Sequence, residues 1–389
     1  MQVAQRMSRL GTETAFEVLV KARALEAQGR SVVHLEVGEP DFPTPQNIVE
    51  AGIRALKDGK TKYTPSQGIP ELREAIANEV GKTRGIQVSP DQVVVTPGAK
   101  PIMFFTILAL VEAGDEVLYP APGFPIYESM IEFSGGKPVP YLLREENNFR
   151  FDPNEFRSKA NAKTKLIILN SPHNPTGGVL ERSDLEVVAE VANKYDITVF
   201  TDEIYWRVLY EGTFSSLLSM PGMLERTVLL DGFSKTYAMT GWRLGYGVMP
   251  KALVPHIVRL QTNSNSCVAG FTQYAGVEAL TGPQDSVTRM VAAFKERRDT
   301  IVDGLNAIPG FKCLKPHGAF YAFPNVRGTP WESRKLADYI LNDAGVACLS
   351  GTAFGAAGEG YIRFSYANSL ENIKLALARV RAAVEKIED

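Results

Sequence analysis

Apolar residues recur along this chain in two rhythms that alternate with one another. Short runs of apolar, often β-branched residues stand at 93–95, 116–119, 139–143, 166–169, 198–200 and 228–230, and a further one closes at Val248. Runs with little polar alternation mark strands buried on both faces of a sheet. Between them lie stretches with helical periodicity, at 46–58, 70–83, 102–111 and 183–195. Strands separated by helices predict an α/β fold, with seven strands in a doubly wound, mostly parallel sheet flanked by helices. Outside this block the rhythm changes. A helix is expected at 15–28 and a short strand at 32–37. From 254 to 280 the pattern is helical, with a break near 263–266. Gly282-Pro283 marks a boundary, and a long helix begins near Ser286. Strands at 318–323, 347–350 and 361–365 and a closing helix at 370–387 then predict a smaller α+β domain. The expected division is a large domain at 48–285 and a small one built from both termini, 1–47 and 286–389.

Composition narrows the class of protein. The 389 residues suffice for two domains. A net charge of −2 provides no field for nucleic acid or a membrane surface. Cys267, Cys313 and Cys348 are widely spaced and odd in number, which fits a reducing compartment and no disulfide framework. They lack the spacing of metal ligands, so no metal is expected. No apolar signal core opens the chain, and no apolar run is long enough to span a bilayer, so a cytoplasmic location is expected.

Several residues stand out for their chemistry. Lys235 follows the 228–230 strand in a loop of Gly, Ser, Thr and aromatic residues that also contains Ser234 and Arg243. A lysine in such a partly desolvated loop has a depressed pKa and can act as a neutral amine nucleophile. Gly98, Ala99 and Lys100 form a glycine turn between a strand and a helix that has Pro101 in its first turn. That geometry presents free N–H groups and a positive dipole end to an anion. Asp202 ends a strand, where a carboxylate projects into the crevice in which α/β sheets bind ligands. Arg363 is the single charge inside the apolar 361–364 strand, so it needs a carboxylate partner. Phe124 reads either as a core ring or as a flat face for a flat conjugated group. Tyr63 and Gly38 lie in Pro/Gly turns.

The motifs Ser234-Lys235, Gly241-Trp242-Arg243-Leu244-Gly245-Tyr246, Asn174-Pro175-Thr176-Gly177 and Asp202-Glu203-Ile204-Tyr205 occur in one order along the chain. Together they resemble the pyridoxal-phosphate-dependent aminotransferases of fold type I, class I/II, in the bacterial aspartate/aromatic subgroup. The resemblance implies that Lys235 holds pyridoxal 5'-phosphate as a Schiff base and that Arg243 binds its phosphate, with Gly98, Ala99, Lys100 and Ser234. It places Asp202 at the pyridine nitrogen, Asn174 and Tyr205 at the phenolic oxygen, and Phe124 on the ring. Arg363 and Gly38 would meet the substrate carboxylate. Tyr63 would reach the neighbouring subunit's cofactor phosphate, which implies a homodimer with shared active sites. The expected activity is transfer of an amino group from an L-amino acid to a 2-oxo acid. Pro101, His173 and Gly232 depart from common family residues. A carbon–sulfur lyase on the same fold, or a cofactor-binding effector module, are the rival readings. The side-chain specificity stays open, with Lys100 a candidate for a second carboxylate and Phe16 and Ile126 pointing to a hydrophobic pocket.

Overall fold

A strand that is apolar on both sides is satisfied only in a sheet covered on both faces. The computed structural model, which describes residues 1–388, builds such a sheet. The chain opens with helix α1 (Thr14–Ala27), strand β1 (Val33–His34) and helices α2 (Gln46–Lys57) and α3 (Pro70–Arg84). Strand β2 (Val93–Thr96) then leads to α4 (Lys100–Leu110), and β3 (Glu116–Ala121) to α5 (Ile126–Ser134). Strand β4 (Lys137–Arg144) turns back on β5 (Arg150–Phe151), followed by α6 (Pro153–Lys159). Strand β6 (Thr164–Asn170), helix α7 (Arg182–Tyr195) and strands β7 (Thr198–Asp202), β8 (Thr227–Gly232) and β9 (Gly245–Val248) complete the sheet. Helices α8 (Val254–Asn265), α9 (Gly270–Thr281) and α10 (Asp285–Asn306) follow.

The strand order is β2-β9-β8-β7-β6-β3-β4-β5, so the sheet has eight strands where seven are expected. The additional strand is β5, whose Phe151 and Arg150 pair antiparallel with Leu143 and Arg144. A strand of two residues is too short to leave a periodic trace. The neighbours from β4 through β8 run parallel. Strand β9 is antiparallel to both β8 and β2. The central strands send alternate residues to opposite sides. Leu166 and Ile168 join one core cluster with Phe200 and Val228, while Ile167 and Leu169 join another with Val199. Burying each of these side chains contributes roughly 1.5–3 kcal/mol.

The remaining elements are β10 (Tyr321–Ala322), α11 (Ser333–Tyr339), β11 (Val346–Ala347), β12 (Leu349–Ser350), β13 (Ile362–Ser365) and α12 (Leu370–Glu388). Strands β10, β13 and β12 form an antiparallel three-stranded sheet. Strand β1 pairs in parallel with β11, which ties the start of the chain to its last third. The break expected near 263–266 is where α8 ends, at Asn265.

Behind the carboxyl ends of β7 and β8 lies a buried charge network. Arg84 donates from Nε and Nη2 to Glu203 Oε2, at 3.2 and 3.0 Å, and lies 3.6 Å from Asp231 Oδ2. Its guanidinium stacks 4.2 Å from the Trp206 ring centre. Ser216 donates to Glu203 at 2.6 Å, and Tyr246 to Asp231 at 2.9 Å. Burial pushes the Asp231 carboxyl up to about 7, and Arg84 opposes that rise. The network fixes Glu203, next to Asp202, and Asp231, at the head of the Lys235 loop. Arg84→Leu would leave both carboxylates buried without a cation. The expected loss is about 3–5 kcal/mol of stability, read as a lowered thermal unfolding midpoint. A variant that unfolds at the wild-type temperature would contradict this role.

Candidate active site

In an open α/β sheet, ligands bind outside the carboxyl ends of the strands. Here those ends deliver the candidate residues to one cavity of about 550 Å³. The turn after β2 brings Ala99 and Lys100, and the turn after β3 brings Phe124. The loop after β6 brings Asn174, β7 ends in Asp202, and the loop after β8 brings Ser234, Lys235 and Arg243. Tyr205, Gly38 and Arg363 complete the wall.

The amine of Lys235 donates to the Gly38 carbonyl at 2.6 Å and lies 5.9 Å from the Phe320 ring centre. Loss of water around it lowers its pKa to about 8, and the nearby Arg363 and Arg243 charges push the same way. Asp202 is 8% exposed. It accepts from the Tyr127 hydroxyl at 2.7 Å and from the Ile204 N–H at 3.1 Å. Burial raises its pKa to about 6, so a cation placed opposite would find a carboxylate in need of one.

Arg363 is 4% exposed, and burial lowers its pKa. Its guanidinium donates to Asn174 Oδ1 at 3.0 Å and to the Glu36 carbonyl, and it stacks 4.4 Å from the Tyr321 ring centre. No protein carboxylate pairs with it, and its Nε has no hydrogen-bond partner among the described residues. The carboxylate partner expected for it is thus not found among the described residues. Asn174 Oδ1 is engaged by Arg363, which leaves the Asn174 amide nitrogen as a donor at the cavity wall. Tyr205 shares a 2.6 Å hydrogen bond with the Tyr321 hydroxyl. That hydroxyl also fills the space over Gly38, where a Cβ would lie 1.9 Å from it. A side chain at position 38 is thus excluded, and the backbone itself faces the site.

One side of the cavity is built for an anion. No side chain caps the start of α4, Pro101 has no N–H and Ile102 donates to the Ala99 carbonyl, so the free N–H groups at the positive end of the helix dipole are those of Ala99 and Lys100. Gly98 has φ +84°, and a Cβ there would lie 2.1 Å from Arg243 Nη2. Its lack of a side chain lets the guanidinium sit against the turn. A Cβ on Gly245 would lie 2.3 Å from the Ala99 nitrogen. The turn and β9 are therefore packed backbone to backbone, with the Arg243 guanidinium against the turn, which fits a phosphate group held by Ala99, Lys100, Ser234 and Arg243. Gly98 stands behind this wall and supports it.

Other expectations resolve differently. Lys100 pairs with Glu13. Tyr63 is 90% exposed and is not part of the cavity wall of its own chain. Phe16 lines the cavity, but Ile126 packs into the core next to it. His173 shares a 2.8 Å hydrogen bond with Thr176, and burial lowers its pKa to about 3, so it is a neutral brace for its turn. Tyr127, Tyr321 and Glu13 were not singled out by motif. Each acts through a contact distant in sequence, and Tyr127 alone had a local cue, three positions after Phe124 on the same turn.

Comparison with known proteins places the chain in a family. Residues 30–380 match the family model for aminotransferase class I and II. The chain is 40% identical over 387 residues to an aspartate aminotransferase of Pyrococcus horikoshii, covering 98% of this chain and 97% of that one. It is 41% identical over 392 residues to a probable aspartate/prephenate aminotransferase of Aquifex aeolicus, covering 99% of each. The aspartate aminotransferase of Thermus thermophilus solved with maleate superposes with a TM-score of 0.95 at 37% identity, over 98% of this chain and all of that one (100%). On this evidence the chain belongs to the class I and II aminotransferases, enzymes that transfer amino groups with pyridoxal phosphate.

Proposed function

We propose that Lys235 attaches the cofactor and moves the reacting proton, that Asp202 holds the pyridine nitrogen, and that Arg363 grips the α-carboxylate of an L-amino acid. The amine would pass to a 2-oxo acid. One observation carries this reading. A lysine with a lowered pKa, a buried carboxylate without a cation and a buried arginine without a carboxylate all face one cavity. When bound, pyridoxal phosphate supplies a conjugated ring that accepts the electron pair of the substrate Cα–H bond. The Lys235 Nζ, when neutral, would be the group that attaches the cofactor's aldehyde carbon, and as a free amine it would accept the Cα proton. The Asp202 carboxylate keeps a ring nitrogen opposite it protonated. Asn174 and Tyr205 would supply hydrogen bonds to the phenolic oxygen, and Phe124, on the same cavity wall, would offer an aromatic face to the ring. Arg363 presents its fork and free Nε to a carboxylate, and the Gly38 backbone stands beside it. Ala99, Lys100, Ser234 and Arg243 hold the phosphate.

The reading includes a homodimer in which Tyr63 reaches the partner's phosphate. Its support is that an aromatic side chain so fully exposed gains little from its own chain. It also includes the division into 48–285 and 1–47 with 286–389, supported by the β1–β11 pairing. A cytoplasmic setting is supported by three unpaired thiols, two of them buried.

Lys235→Ala should abolish the absorbance of tightly bound cofactor and lower kcat by at least about 10³-fold. Wild-type turnover in that variant would contradict the assignment. The rate at which protein stripped of cofactor captures pyridoxal phosphate should rise with pH and level off above about 8, because only the neutral amine attacks. A flat profile between about pH 6 and 9 would exclude Lys235 as the attacking group. Tyr63→Phe should weaken cofactor retention. Hybrids of Tyr63→Phe with Lys235→Ala protomers should regain one wild-type site each, whereas action within one chain would restore none.

A further inference from the structure

We propose that the Glu13–Lys100 ion pair forms the subsite for the amino donor's side chain, and that Glu13 tunes the enzyme toward uncharged, apolar or aromatic side chains and away from dicarboxylic ones. This rests on the reading of Lys235 and Arg363 given above.

The cations on the cavity wall are Lys100, Lys235, Arg243 and Arg363. Lys235 lies at the reacting centre and Arg363 at the α-carboxylate. Arg243 packs against the anion-binding turn and donates to the Thr240 carbonyl at 2.8 Å. Among the described residues of this chain's cavity wall, Lys100 is the cation left for a second carboxylate, and Glu13 already holds it. Glu13 occupies the N-cap position of α1, yet its side chain makes no capping bond to that helix. It turns into the cavity instead, with 20% of the side chain exposed. It lines the same cavity as Lys235, Arg363 and Tyr321. The Lys100 ammonium lies 5.5 Å from the Phe124 ring centre, and Phe16 and Met103 extend the apolar surface.

A second carboxylate entering here adds a like charge beside Glu13 and must displace it from Lys100. An apolar side chain leaves the pair intact and covers carbon. Discrimination thus comes from a repulsive group as much as from an attractive surface.

The test uses the holoenzyme as wild type, as Glu13→Gln, and as the double variant Glu13→Gln/Lys100→Met. Glu17→Gln serves as a control, since Glu17 is exposed on α1 and outside this cavity wall. Donor half-reactions give kcat/KM for L-phenylalanine, L-leucine, L-aspartate and L-glutamate. Calorimetry gives Kd for succinate and for 3-phenylpropionate. Wild type should favour phenylalanine or leucine over both acidic donors by at least about tenfold. Glu13→Gln should raise the acidic-to-neutral ratio, and tighten succinate, by at least about tenfold. The double variant should cancel both gains, and Glu17→Gln should leave the ratio at its wild-type value. The proposal is overturned if wild type prefers aspartate or glutamate, if the ratio and the succinate Kd are unchanged in Glu13→Gln, or if L-lysine proves the best donor. Should no donor react in any protein, the reading of Lys235 fails, while the succinate Kd still judges Glu13.

Discussion

An ionised group taken out of water without a counter-charge is strongly disfavoured. This fold accepts that penalty at one place, the carboxyl edge of its main sheet. Asp202 is held up to about 6, Lys235 down to about 8, and the Arg363 guanidinium keeps an unpartnered Nε. The Arg84–Glu203–Asp231 network a few residues away is different, since there each charge meets its opposite inside the protein. The contrast separates scaffold from site. That network's charges are met within the chain, whereas Arg363, 4% exposed, has no carboxylate beside it among the described residues, and the proposed ligand would supply the charges the cavity lacks. Binding such a ligand stabilises the folded state by mass action.

Holding these groups at one spot requires close backbone packing around them. Position 38 is a glycine because the Tyr321 hydroxyl occupies the space of its Cβ, and position 98 because Arg243 does. Both contacts join distant segments, so the turn after β2, Arg243 and the Gly38 backbone are placed by tertiary packing. Tyr127 and Tyr321 extend this support. One donates to Asp202, and the other both bonds Tyr205 and stacks on Arg363.

Much of this was legible in the amino-acid sequence. The central strands could be read because burial on both faces forces runs such as 166–169. Asp202 and Arg363 could be singled out because a charge at the end of or within an apolar strand is unusual, and Lys235 because its loop resembles the family's cofactor-lysine loop. Strand β5 could not, because two residues carry no period. Tyr127, Tyr321 and Glu13 could not, because their meaning lies in contacts across 75, 116 and 87 residues of chain. Apart from Tyr127's place three positions after Phe124, nothing local distinguishes them from core aromatics or a solvated helix start. The sheet order was equally hidden, since the neighbours of β6 are set by long-range pairing.

The central claim is that one desolvated amine, at the mouth of β8, bonds covalently to the vitamin-derived aldehyde. Borohydride reduction of the holoprotein followed by tryptic mass mapping tests it most directly. The account predicts that the reduced cofactor's added mass sits on the peptide containing Lys235 and is absent from Lys100. Label on another lysine, or protein that carries none after reduction, would contradict it.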